Sequence, residues 1–132
     1  MFDRMIPFAV LVLRAWVGLN FVFAHGLGKI SDPAAFLDGR GVQKFPLPVL
    51  FGWLAILSEF AGGILLTLGL WTRVAAAMIL GTMVGAAFVV LGAEPWGRKE
   101  LALTYAAVAF FFLIYGGGSL SVDRLLRKRG KR

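Results

Sequence analysis

The sequence predicts an all-α polytopic membrane protein: a four-transmembrane-helix bundle with both termini cytoplasmic. Three observations carry that prediction. Hydrophobic residues make up 59% of the 132 residues and mean hydropathy is +0.81, whereas soluble domains are roughly 45–50% apolar. A chain of this length buries too small a fraction of its surface to hide that much apolar area from water. Four apolar segments, at 5–24, 49–70, 74–91 and 101–117, approach the roughly 20 residues that cross a bilayer. Most of the charge lies between these segments and in a basic tail over 119–132, so a single membrane domain covers 1–132.

The first segment follows Arg4 much as a secretion signal would. Arg14 interrupts it, however, and no small-residue cleavage site leads into a soluble region, so it reads as a retained helix. Between it and the second segment runs "HGLGKISDPAAFLDGRGVQKFPLP" (25–48), rich in Gly, Pro and charge. Pro33–Leu37 suits a short interfacial helix capped by Ser31 or Asp32, because proline is preorganised for a first helical turn. The second segment holds Glu59 among apolar neighbours. Its junction with the third, "WTR" (71–73), is short enough to force an antiparallel hairpin, and "GAEPWGRKE" (92–100) is another short turn before the fourth segment.

An even number of spans places both ends on one side. That side carries Arg4, Arg73, Arg124, Arg127, Lys128, Arg129, Lys131 and Arg132, against Lys29, Arg40, Lys44, Arg98 and Lys99 on the other. The excess puts the termini in the cytoplasm, because cationic loops are retained there. Trp53, Trp71 and Trp96 fall near segment ends, as interfacial anchors do.

The formal net charge is +7, but its concentration in the tail suits topology rather than nucleic acid, which is not an expected partner. Ser121 or Asp123 would cap a short helix whose basic residues rest on anionic headgroups. The absence of cysteine excludes structural disulfides, thiolate metal sites and a dithiol relay within the chain. The single histidine, His25, excludes bis-histidine haem ligation in one protomer. Neither a metal site nor a self-contained catalytic site is expected.

Ionisable side chains inside an apolar segment are the candidates for function. At 1.5 Å per residue, Arg14 lies ~13 Å inside the first helix and Glu59 ~18 Å from the same surface on the second. The two are therefore expected to meet near the midplane, where an unpaired charge costs at least about 2.5–3.5 kcal/mol. Such a pair either fixes helix register or lines a polar cavity for a ligand or proton; both readings stay open. Arg14, Gly18, Phe21 and His25 share one helical face, which places His25 at the outer mouth of that site and Lys29 a turn beyond. Lys29, Glu100 and Tyr105 are expected to form an outer polar cluster. The alternative reading is interfacial snorkelling by Lys29 and simple hydrogen bonding by His25. For helix packing the candidates are Gly18, Gly62 and Gly63, with Gly81 and Gly85 in a small-residue stripe on the third helix. Arg73 and Asp123 fall on the cytoplasmic side.

Four stretches, "LRAWVGLNFVFAHGLGK" (13–29), "SEFAGGILLTLGLWTR" (58–73), "GRKELALTY" (97–105) and "GGGSLSVDR" (116–124), resemble the DoxX family of small four-helix membrane proteins. The match runs in order through Arg14, Gly18, His25, Gly26, Lys29, Glu59, Gly62, Gly63, Gly69, Arg73, Glu100 and Ser121–Asp123, over nearly the whole chain. The family includes subunits associated with quinone-linked oxidation and membrane partners of oxidative-stress enzymes. The resemblance therefore implies an accessory subunit in the cell membrane that holds a quinone non-covalently, while a soluble or membrane oxidoreductase partner carries the electron cofactor. The alternatives are a small-molecule or lipid transporter, with homodimers widening its pathway, and a scaffold that recruits soluble enzymes.

Overall fold

Proline and glycine set the helix boundaries. Residues 1–131 are described in the computed structural model; Arg132, the last cation of the predicted tail, lies outside the described residues. The first helix, α1 (Ile6–Ser31), has Pro7 in its first turn and extends beyond the expected 5–24. Its stretch Phe21–Gly26 is π-helical, a wide turn of the kind found at functional sites. A short α2 (Pro33–Leu37) follows. Asp32 rather than Ser31 caps it, its carboxylate accepting from the Ala35 N–H at 3.2 Å.

Helix α3 (Pro48–Leu68) begins on proline and stops at Gly69, whose φ of 70° only glycine adopts cheaply. The Leu70 N–H then reaches back to the Leu65 carbonyl at 3.0 Å. One further residue in the left-handed region, Trp71, turns the chain into α4 (Thr72–Val90), making the expected hairpin. Helix α5 (Trp96–Tyr115) follows Pro95 and ends at Gly116, φ 81°. Ser121 caps α6 (Val122–Gly130), accepting from the Arg124 N–H.

Four long helices share one core. α1 packs on α3, α3 on α4, and α4 on α5. The α4–α5 seam is rich in small side chains, with Ala75 and Ala76 beside the larger Ile79 and Met83 on α4 and Ala102, Ala106 and Ala109 on α5. Such residues let backbones approach closely where lipid removes the usual hydrophobic drive. Helices α1, α3 and α4 are long and apolar enough to cross a membrane. The fourth expected span, in α5, carries Arg98, Lys99 and Glu100 in its first turns and falls outside that group.

The expected stripe on α4 is corrected. Ala77, Gly81 and Gly85 occupy a face other than the buried one, and a Cβ on Gly81 would meet no atom within 4 Å. Gly85 faces the Phe45 ring in the loop before α3, not another helix. Gly18 and Gly63 do pack as helix-contact glycines: a Cβ on either would lie 2.8–2.9 Å from the other's carbonyl oxygen. Gly62 makes ordinary contact with Ile79.

Candidate functional site

The expected Arg14–Glu59 pair does not form. The Gly18–Gly63 contact slides α1 along α3 until Arg14 lies level with Gly69, at the C-terminal end of α3 and ten residues past Glu59. Arg14 is 1% exposed and donates to the main-chain carbonyls of Gly117 and Leu120, the latter at 2.8 Å. The loop "GGGSL" thus folds over the first helix and gives the two terminal nitrogens of a buried guanidinium carbonyl partners in place of a carboxylate, while its Nε has no partner among the described residues.

Glu59 is 3% exposed and pairs with Lys29. The Lys29 side chain is 26% exposed, and its ammonium lies 4.8 Å from the centre of the Phe36 ring, within cation–π range. One residue before Glu59, the Ser58 hydroxyl hydrogen-bonds the Thr82 hydroxyl across the α3–α4 seam. These two polar pairs form one wall of a cavity of about 730 Å³ between α3, α4 and the loop before α3, within the rough 300–1,000 Å³ range of small-molecule sites. The rest of its lining is mainly apolar and small, including Phe36, Val42, Ala55 and Gly81.

A roof closes one end. Val42 and Leu37 pack on Gly52, where a Cβ on the glycine would collide with them. Phe45 stacks on Phe51 with ring centres 5.1 Å apart. Lys44 Nζ donates to the Val90 carbonyl at 2.7 Å, at the π-helical end of α4.

The expected outer cluster is also corrected. Lys29 turns to Glu59, while Glu100 is exposed and its carbonyl accepts from the Thr104 hydroxyl in its own helix. Tyr105 joins His25 and Phe21 in an aromatic group, with ring centres 5.8 Å and 4.7 Å away. His25 is half-buried there and does not line the cavity, because the wide turn at Phe21–Gly26 breaks the helical phase that would align it with Arg14.

Ser58, Thr82 and the roof were not among the sequence candidates. Hydroxyls within apolar segments were the available signal.

On the side opposite the roof, Asp123 accepts from the N–H groups of Trp71 (2.8 Å) and Thr72 (3.0 Å) and from the Thr72 hydroxyl (2.8 Å). It is thus an N-cap for α4 supplied from the C-terminal segment. Burial pushes the Asp123 carboxyl up, but the hydrogen bonds from Thr72 and Trp71 and the charge of Arg127 together hold it below the usual carboxylate range. Arg73 donates to the Ile114 carbonyl at 3.1 Å, tying the same corner to α5. Among the described residues no three His, Cys, Asp or Glu side chains gather as a metal site.

Three apolar helices able to span a bilayer, with a buried ion pair in a cavity between two of them, define a multi-pass protein of the cell membrane, inner or plasma. The chain belongs to the DoxX family, whose model matches residues 9–92. That range holds every residue lining the cavity. The chain is 34% identical to "Inner membrane protein YqjF" of Escherichia coli, over 91% of this chain and 93% of the relative. It is 35% identical to "Uncharacterized membrane protein Rv3486" of Mycobacterium tuberculosis, over 93% and 84%. It is 26% identical to "Putative oxidoreductase CatD" of Bacillus subtilis, over 98% and 95%. No solved structure matches.

Proposed function

We propose that this protein is an accessory membrane subunit of a quinone-linked oxidoreductase system and holds a quinone head group in the cavity between α3 and α4. The observation that carries the reading is the Lys29–Glu59 pair on the wall of an otherwise apolar cavity. A quinone ring suits apolar walls, and its two carbonyl oxygens need donors, which Lys29 Nζ and the Ser58–Thr82 hydroxyls supply. Glu59 holds the ammonium in place and accepts a hydrogen bond from the hydroxyl of a reduced head group.

The chain has no thiol to hold an iron–sulfur cluster or form a dithiol relay, and in this reading a partner oxidoreductase carries the electron cofactor. The name of the Bacillus subtilis relative supports that class of chemistry. In this reading α5 is the fourth span and both termini lie in the cytoplasm, α6 resting its basic face on the anionic leaflet.

The test is to purify the protein and its Glu59→Gln variant in mild detergent and identify the extracted small molecules by mass spectrometry. A quinone near equimolar with wild type and lost from the variant is the expected result. Bulk lipid alone from both would overturn it in favour of a docking scaffold.

A further inference from the structure

The cavity is closed toward its roof and open toward its side. Both long walls are helices of spanning length. Along them the lining residues Leu54 and Val84 are 46% and 41% exposed, and Ala77 and Gly81 between them are exposed as well. The open space beside Gly81 leaves a gap in the α4 wall one residue from Thr82, whose hydroxyl belongs to the polar wall. The roof shows the opposite character, with Phe45 on Gly85, Gly41 against the Val90 side chain and Lys44 bonded to the Val90 carbonyl.

Building on the reading of the cavity as a quinone site, we propose that Gly81 is the threshold of a lateral opening to the bilayer and that the ligand is a lipid-dissolved, isoprenoid-tailed quinone. Its head lies at Lys29, Glu59, Ser58 and Thr82. Its tail leaves over Gly81, between Leu54 and Val84, among the acyl chains. The packed roof leaves an apolar tail no passage, whereas at the side opening it stays in hydrocarbon throughout. Glycine at this threshold keeps the passage free without loosening the fold, since a side chain there has no neighbour to displace.

The proposal is tested by equilibrium binding of two probes to the full-length protein in lipid nanodiscs: a quinone with a long isoprenoid tail, and the same head group without the tail. Gly81→Leu is compared with wild type. Val84→Trp, a substitution at an exposed position, narrows the same passage without touching the buried core. Both variants are expected to weaken the long-tailed probe by about tenfold or more, equivalent to about 1.4 kcal/mol, and to leave the tail-less probe within about twofold. Equal loss of both probes would mean that the substitutions fill the head site, and unchanged binding of both would place the entrance elsewhere; either result overturns the threshold. Wild type binding neither probe would instead overturn the quinone reading itself.

Discussion

Gly18 and Gly63 press backbone against backbone, each leaving no room for a methyl group on the other. That contact sets the register of α1 on α3, and so decides which buried charge finds which partner. Gly18→Ala and Gly63→Ala are each expected to destabilise the protein by about 1–3 kcal/mol, the usual cost of overpacking a tight interface. Gly81→Ala, with open space around it, is expected to be neutral or to stabilise by up to about 1 kcal/mol through helix propensity. Thermal unfolding in detergent separates the two outcomes, and equal behaviour of all three variants would contradict the register argument.

The Lys29–Glu59 pair is unequally buried, so its two halves are expected to respond differently. Lys29→Met strands a carboxylate in the interior and costs about 3 kcal/mol. Glu59→Gln leaves a lysine whose side chain is a quarter exposed and whose ammonium can turn toward water, costing nearer 1 kcal/mol. A double-mutant cycle measured by unfolding should return a favourable coupling energy.

Asp123 predicts an acid-dependent stability. Its folded-state carboxyl lies below the ordinary value of 3.8, so its contribution is complete above that value and fades as pH falls through it. Asp123→Ala should cost about 1–2 kcal/mol at neutral pH, as loss of an N-cap does. The gap between wild type and variant should hold at pH values above about 4 and narrow as pH falls below the ordinary carboxyl value. Parallel unfolding curves across that range would remove Asp123 as the source.

The fate of α5 is settled by reporter fusions. With four spans, alkaline phosphatase fused after Lys131 stays inactive in the cytoplasm, and the same enzyme inserted in the 92–95 turn is active outside. Activity at the C-terminal fusion would leave α5 on the membrane surface and the chain with three spans.

Much of the helical plan was legible because it is written locally. Pro48, the Gly69–Trp71 turn and Pro33 mark boundaries through their own backbone preferences. The charge pairing was not legible, because depth was counted from the ends of the apolar segments. With Gly18 set opposite Gly63, Arg14 falls near Gly69 and Glu59 about level with Val22, well away from Arg14, and the wide turn at Phe21–Gly26 that helps bring Lys29 to Glu59 has no local sequence signal. The small-residue stripe on α4 misled for a different reason: small side chains serve a tight seam and an open cavity equally well, and only the neighbours distinguish them. The roof was hidden because its contacts, such as Lys44 on Val90, join segments far apart in sequence.

The socket of Arg14 carries a consequence for how the protein is made. Its acceptors, Gly117 and Leu120, are 103 and 106 residues further along the chain. At 5–20 residues per second, a ribosome delivers them roughly 5–20 s after Arg14 itself. Throughout that interval the first helix holds a cation without its final partners, and the insertion machinery must shelter it or let it reach the interface. A nascent chain halted before Gly117 never completes the socket. The segment 117–120 therefore acts as the closing stitch of the bundle, and until it arrives the first helix carries its cation without the carbonyls that hold it.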